Sequence, residues 1–220
     1  MSPDSQERPV KLALLGATGF VGAEVLRAAL AAGLQVTALV RDPSRLPHQE
    51  GLEVVQGDAR DPSAVDRTVA GAQAVISVLG TRRGEKTDTD ELARMMRNVL
   101  AAMEHHGVRR LVAISGAGIA VPGERKPFPH NLISGLVRVL ARGAVDAKQR
   151  EFEVLTRSSV DWTAVRATRV VDGSSTGRPR VGTDAASIGM RVTRGDLAAF
   201  MVTLVTDGGY VRQAPFISSA

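Results

Sequence analysis

The run Lys11–Leu12–Ala13–Leu14–Leu15–Gly16–Ala17–Thr18–Gly19–Phe20–Val21–Gly22 constrains this chain more than any other stretch. Its apolar start reads as a buried parallel strand. Gly-x-x-Gly-x-x-Gly follows at once, and an Ala/Leu-rich helical pattern comes after it. A strand, a glycine turn and a helix N-terminus make an anion site, because peptide N–H groups and the positive end of the helix dipole face the ligand. In such a turn Gly16 permits the tight bend, Gly19 lets backbone approach a pyrophosphate, and Gly22 lets helix and sheet pack closely. Spaced glycines alone are a weak signal, and the flanking strand and helix supply the confirming context. Gly16, Thr18, Gly19, Phe20 and Val21 are therefore assigned to a nucleotide-binding turn.

The next apolar run, residues 34–40, ends in Arg41 and not in the Asp or Glu that takes the ribose hydroxyls of NAD. A guanidinium there suits a 2′-phosphate, and Arg45 is placed to close the other side. Asp42 follows the arginine and is expected to cap the next turn. The expected cofactor is NADP(H).

Strand and helix patterns alternate along the chain, which predicts an α/β fold: a doubly wound, Rossmann-type parallel sheet in a single domain. Strands are expected at 10–15, 35–40, 53–56, 74–79, 110–115 and 162–166, with a late one near 212–217. Helices are expected at 22–32, 62–69, 89–106, 152–158 and 196–207. Residues 1–9 read as a flexible tail and 10–220 as the domain, with substrate-side loops towards its C-terminus. Residues 118–143 read as an active-site loop with a helical piece, and residues 172–188 as a flexible flap. Ligands on such sheets bind beyond the carboxyl ends of the strands. That rule adds Asp58 and Ala59 after the third strand, Leu79, Gly80, Thr81 and Arg82 after the fourth, and Ser115 after the fifth. Asp58 is placed either to take the adenine amino group or to cap a helix. Gly80 lets backbone lie against the ribose and nicotinamide. Ser115 is a candidate partner of the nicotinamide or the substrate. His130 is a candidate acid/base in the 118–143 loop, and Lys148 either faces the pocket or, as expected, is a solvated helix lysine.

Several classes are excluded or disfavoured. The chain has no cysteine, so disulfides and thiolate metal sites are out, and a cytoplasmic location is expected. Residues 1–9 lack the apolar centre of a secretion signal, and no run approaches the ~18 apolar residues of a membrane span. The net charge of +5 rests on scattered arginines, with one Trp and one Tyr, which is a poor stacking platform for nucleic acid. An anionic cofactor and acceptor account for the charge equally well. No metal is expected: adjacent His105 and His106 on a helix point about 100° apart and chelate poorly. A Tyr-x-x-x-Lys pair is missing, because the one tyrosine, Tyr210, is followed four residues later by Ala214.

Residues 40–47 (Val-Arg-Asp-Pro-Ser-Arg-Leu-Pro), 69–76 (Val-Ala-Gly-Ala-Gln-Ala-Val-Ile), 79–82 (Leu-Gly-Thr-Arg) and 101–108 (Ala-Ala-Met-Glu-His-His-Gly-Val) resemble the atypical short-chain dehydrogenases of the flavin reductase / biliverdin-IXβ reductase type. The likeness is close from about Lys11 to Ala117. Beyond it, residues 161–166 and 193–198 resemble the wider NAD(P)H-binding family. The resemblance implies NADPH as hydride donor, with flavins or linear tetrapyrroles as acceptors, and it places Thr18, Arg41 and Arg45 around the 2′-phosphate. Two positions depart from the family. Gly116, with Ser115 one residue earlier, stands where the reductases carry a serine, and Arg169 stands at their histidine. Flavin reduction survives these changes better than biliverdin reduction, since orienting two stacked rings supplies much of the catalysis. Arg169 is then placed to hold an anionic group of the acceptor. A non-catalytic NADP(H) sensor, and a reductase of a specific quinone or biosynthetic intermediate, remain as alternatives. A monomer is expected.

Overall fold

A computed structural model describes residues 9–80, 88–124, 142–184 and 188–220. Its centre is an eight-stranded sheet in the order β3-β2-β1-β4-β5-β6-β10-β8. The strands are β1 (Lys11–Leu15), β2 (Gln35–Val40), β3 (Leu52–Gln56), β4 (Ala74–Ser77), β5 (Arg110–Gly116), β6 (Asp161–Ala167), β8 (Arg180–Gly182) and β10 (Phe216–Ser218). All neighbours pair in parallel except β8, which runs antiparallel to β10 at the edge. Strands β7 (Arg169–Val171) and β9 (Arg191–Thr193) form a separate parallel ribbon.

The strand order explains the apolar run that opens the chain. β1 lies between β2 and β4, and helices cover both faces, so its side chains are buried whichever way they point. Leu12 and Leu14 pack on one face with Val25 and Leu26 of α1 (Gly22–Ala31) and Leu197 and Met201 of α5 (Arg194–Asp207). Ala13 and Leu15 pack on the other with Val65 of α2 (Pro62–Val69), Met96 of α3 (Glu91–His105) and Phe152 of α4 (Arg142–Thr156). The order reverses between β1 and β4, which opens a crevice beyond their carboxyl ends.

Local chemistry sets the helix boundaries. Asp61 caps α2 by accepting from Ser63 N–H at 3.0 Å, and Pro62 occupies the first turn. Thr193 caps α5 by accepting from Asp196 N–H at 3.1 Å.

The expected sheet and four of the expected helices stand with small shifts at their ends. Helix α4 is the exception: it starts at Arg142, ten residues before its expected start at 152. Its inward positions include Glu151 beside Ala147, Phe152 and Leu155, and that acid hides the apolar stripe. The late strand begins at Phe216, later than expected. The expected flap at 172–188 instead holds β8, and its start is tied down by Asp196. That buried carboxylate accepts from Ser175 Oγ (2.9 Å), Thr176 N–H (2.6 Å), Thr176 Oγ1 (2.9 Å) and Ser219 Oγ (2.5 Å). The expected tail at 1–9 lies almost wholly outside the described residues.

Burial alone would push the Asp196 carboxyl up, but the hydrogen bonds from Ser219, Thr176 and Ser175 outweigh it and hold the carboxyl below its ordinary range. A carboxyl depressed in the folded state stabilises above its unfolded pKa, near ~3.9, and loses that contribution as pH falls through the folded value. Asp196→Ala is expected to cost about 1.5–3 kcal/mol at pH 7. Denaturant unfolding at several pH values checks this, and the gap between variant and parent should narrow below about pH 4.

Candidate functional site

The glycine turn is built by close approach. Gly16 ends β1 with φ +93°, and its carbonyl accepts from Gly19 N–H at 3.0 Å. Ala23 N–H donates to Gly19 O at 3.0 Å and starts α1. A methyl group on Gly22 would lie 1.9 Å from Gly16 O, so that position accepts hydrogen alone. On Gly19 the same group would meet only Gly16 O, at 3.3 Å, among the described residues. The outer side of Gly19 is thus open for a ligand. Val21 occupies the N-cap of α1 and provides no side-chain cap. Ala23 and Glu24 N–H bond the Gly19 and Val21 carbonyls, and the positive end of the α1 dipole is what favours an anion at the turn.

A cleft of about 230 Å³ runs from this turn across the ends of β2 and β3. Gly16, Thr18 and Gly19 line one side, and Arg41 and Arg45 line another. The Arg45 guanidinium donates to Thr18 O at 3.3 Å, which ties the second arginine to the glycine turn. Asp42 does cap the next turn: its carboxylate accepts from Ser44 N–H (3.1 Å) and Oγ (2.6 Å) at the start of a 3₁₀ turn, Pro43–Arg45. Those bonds hold its carboxyl below the usual range. Asp58, Ala59, Leu79 and Gly80 also line the cleft. The Asp58 carboxylate is gripped by Arg60, through Nε to Oδ1 (3.0 Å) and Nη2 to Oδ2 (2.8 Å), and this pairing holds it below the usual range. It also accepts from Arg60 N–H at 2.9 Å, in a turn that precedes α2, whose cap is Asp61 and not Asp58.

Arg60, Glu91 and Met95, not among the expected site residues, also line the cleft, as do Leu39, Val40, Gly57 and Val78. Arg60 follows directly from the Asp58 position. Glu91 and Met95 sit in α3, and only the tertiary packing of that helix brings them to the cleft. Phe20 and Val21 lie beside the turn, outside the cleft lining. Phe20 exposes its ring, with the Arg194 guanidinium 5.2 Å from its centre.

The second group of side chains surrounds the carboxyl ends of β4, β5 and β6. Ser115 is buried opposite Arg166 in the β5–β6 register, and its hydroxyl has no hydrogen-bond partner among the described residues. Lys148 is not the solvated lysine that was expected. Its ammonium donates to Leu79 O (2.7 Å), Ile114 O (2.9 Å) and Glu151 (2.7 Å), using all three of its donors. It therefore fastens the ends of β4 and β5 to α4. Burial pushes the Glu151 carboxyl up, and the Lys148 charge and hydrogen bond oppose that. The signal for Lys148 lay in its spacing to Phe152 and Leu155 on one helix face. Four residues before Lys148 stands Ala144, so the tyrosine place of a Tyr-x-x-x-Lys pair is empty here too.

Arg166, also buried, donates to Ala214 O (2.7 Å) and to Glu124 (2.6 Å), and it stacks 3.6 Å from the Phe216 ring centre. Arg169 is exposed at the start of the β7–β9 ribbon, away from the cleft lining. Thr81, Arg82 and His130 lie outside the described residues. His105 and His106 were expected to diverge, yet both reach Asp66. His106 has left helical geometry, at φ −95° and ψ 4°, so helical spacing no longer sets its direction.

The site thus offers a bare glycine turn, an uncapped helix start, two arginines beside it and an unpartnered buried hydroxyl. This set of donors fits a dinucleotide. Comparison with known proteins agrees: a family profile described as NAD(P)H-binding matches residues 16–208. A Streptomyces griseus (4-alkanoyl-5-oxo-2,5-dihydrofuran-3-yl)methyl phosphate reductase is 35% identical over 153 residues, 69% of this chain and 45% of that enzyme. Curated relatives are matched over about a third to a half of their own length. Among solved structures, an Escherichia coli O157:H7 anaerobillin reductase superposes with a TM-score of 0.80 at 24% identity, covering 96% of this chain and 97% of that one. A Veillonella parvula short-chain dehydrogenase/reductase in complex with NADP also gives 0.80, at 18% identity, covering 96% and 95%. Both show the same fold.

The two glycines separate binding from folding. Gly19→Val is expected to fold and to lose NADPH binding, because its branched side chain fills the ligand's approach. Gly22→Ala is expected to lower stability sharply, since its methyl group meets Gly16 O. Circular dichroism melts and calorimetric titration of both variants check the pair.

Proposed function

The chain belongs to the NAD(P)H-binding family, and on that premise we propose that it is an NADPH-dependent reductase of a flavin or a related conjugated acceptor. One observation carries the cofactor choice: Thr18, Arg41 and Arg45 meet in one cleft, while Asp42, the nearby acid, is spent on capping. Guanidinium groups beside the glycine turn suit a 2′-phosphate. The NADP held by the Veillonella neighbour and the reductase chemistry of the Streptomyces relative support the reading.

NADPH, when bound, supplies a hydride to the acceptor, and solvent supplies the accompanying proton. The protein's part is orientation. Lys148 fixes the Leu79 and Ile114 carbonyls, and so the backbone at the ends of β4 and β5. Ser115 lies next to Ile114 and has a hydroxyl free to bond a carboxamide or an acceptor carbonyl. Arg166 anchors Glu124 in the segment that follows β5. Arg169, on the exposed ribbon, holds an anionic group of the acceptor. The missing Tyr-x-x-x-Lys pair, and Gly116 and Arg169 in place of the family serine and histidine, favour catalysis by positioning two rings.

Steady-state kinetics with FMN and riboflavin tests the reading. The protein should oxidise NADPH with either flavin. Ser115→Ala should lower kcat by less than about tenfold, against the 10²–10⁴ typical of removing a general acid or base. Arg169→Ala should act mainly through KM, and more on FMN than on riboflavin. A thousandfold fall in kcat for Ser115→Ala would make the serine a proton donor and overturn the positioning account. Tight NADPH binding without turnover would identify a cofactor sensor.

A further inference from the structure

Away from the cofactor cleft, α2 and the end of α3 bring three ligating side chains together. His105 Nδ1 lies 2.8 Å and His106 Nε2 3.0 Å from one oxygen, Asp66 Oδ1. The ligand atoms of all three residues lie within 4.8 Å of one another. The rings sit 4.5 Å apart and are tilted by 43°, so their nitrogens converge while their planes stay separate. The carboxylate is held below its usual range, chiefly by the His105 hydrogen bond, and it is an anion at neutral pH.

The chemistry of this set is specific. Two imidazoles and one carboxylate match the ligand preferences of borderline divalent ions such as Zn²⁺, Ni²⁺ and Cu²⁺. Mg²⁺ and Ca²⁺ want several oxygens and would find one carboxylate. Tetrahedral zinc, with ligands at ~2.0–2.2 Å, needs donor atoms about 3.3 Å apart. The two nitrogen–oxygen separations, 2.8 and 3.0 Å, need to open by a few tenths of an ångström, and the two nitrogens lie within 4.8 Å of each other. His105 is 70% exposed, which leaves an entry path and room for water on the ion. The ring protons that now bridge nitrogen and carboxylate are what the ion would replace.

We propose that Asp66, His105 and His106 form a surface site for a divalent transition-metal ion of the zinc class. The ion staples α2 to the C-terminal end of α3. That helix also holds the cleft wall, because Asn98 Nδ2 donates to Ala59 O at 3.0 Å and to Arg60 O at 3.3 Å. The site therefore braces the helix pair behind the cofactor cleft and takes no part in hydride transfer.

Tag-free protein titrated with ZnCl₂, and in parallel with MgCl₂, tests the site by calorimetry and thermal melting. One Zn²⁺ per chain should bind in the micromolar range, with no Mg²⁺ uptake. Zinc at a hundredfold excess over its Kd should raise the melting midpoint by about 5–10 °C. His105→Ala, on an exposed helix end, and the near-isosteric Asp66→Asn should each weaken zinc binding at least tenfold and remove the melting shift. His48→Ala should leave both unchanged. Absence of zinc binding up to about millimolar concentration would overturn the proposal. So would equal affinity in the parent and the His105→Ala variant, and in that case the three residues are only a helix-end ion pair.

Discussion

The contact between Gly22 and Gly16 is the constraint on which the rest of the site depends. The backbone of α1 presses so closely on the end of β1 that a single added carbon would sit 1.9 Å from a carbonyl oxygen. This closeness places the uncapped start of α1 directly beyond the sheet, at the point where the strand order reverses. Everything that follows is arranged around that positive helix end. The arginines after β2 extend the positively charged surface sideways, and Arg45 is tied back to Thr18. The loop after β3 forms the far wall, clamped from behind by Asn98.

Beyond β4, β5 and β6 the protein spends its buried charges on rigidity. Lys148 has no donor left after Leu79, Ile114 and Glu151. Arg166 is enclosed by Glu124, Ala214 and Phe216. Buried ions are costly unless paired and hydrogen-bonded, and both are paired: Lys148 uses all three donors, and Arg166 uses Nε and Nη1 and stacks on Phe216. These are groups that hold backbone in place. Among the described residues the buried Ser115 hydroxyl at the end of β5 has no partner, and neither has the Ser77 hydroxyl at the end of β4.

The sheet and the glycine turn were legible because their signals are local. A strand buried on both faces must be apolar throughout, and Leu12 to Leu15 are. Arg41 announced its place by ending a strand. The failures share a different cause. Lys148 read as a solvated lysine because its pairing with Glu151 is visible only once α4 lies on the sheet, and the polar residues around it concealed the first ten residues of the helix. Asp196 gives no hint in sequence that residues 175, 176 and 219 converge on it. Helical spacing separated His105 from His106, but His106 sits where the helix ends, and Asp66 is 39 and 40 residues away from them. Short strands such as β7, β8 and β9 carry no alternation at three residues each and exist through their partners.

The central claim is that the cleft beside the glycine turn is built for a 2′-phosphorylated dinucleotide. Calorimetric titration with 2′-phospho-ADP-ribose and with ADP-ribose isolates that phosphate from the nicotinamide and from any acceptor. A charge-assisted phosphate contact is worth about 1.5–3 kcal/mol, so the phosphorylated fragment should bind roughly ten- to a hundredfold more tightly, and Arg41→Ala should remove most of the difference. Equal affinity of the parent protein for the two fragments would contradict the account.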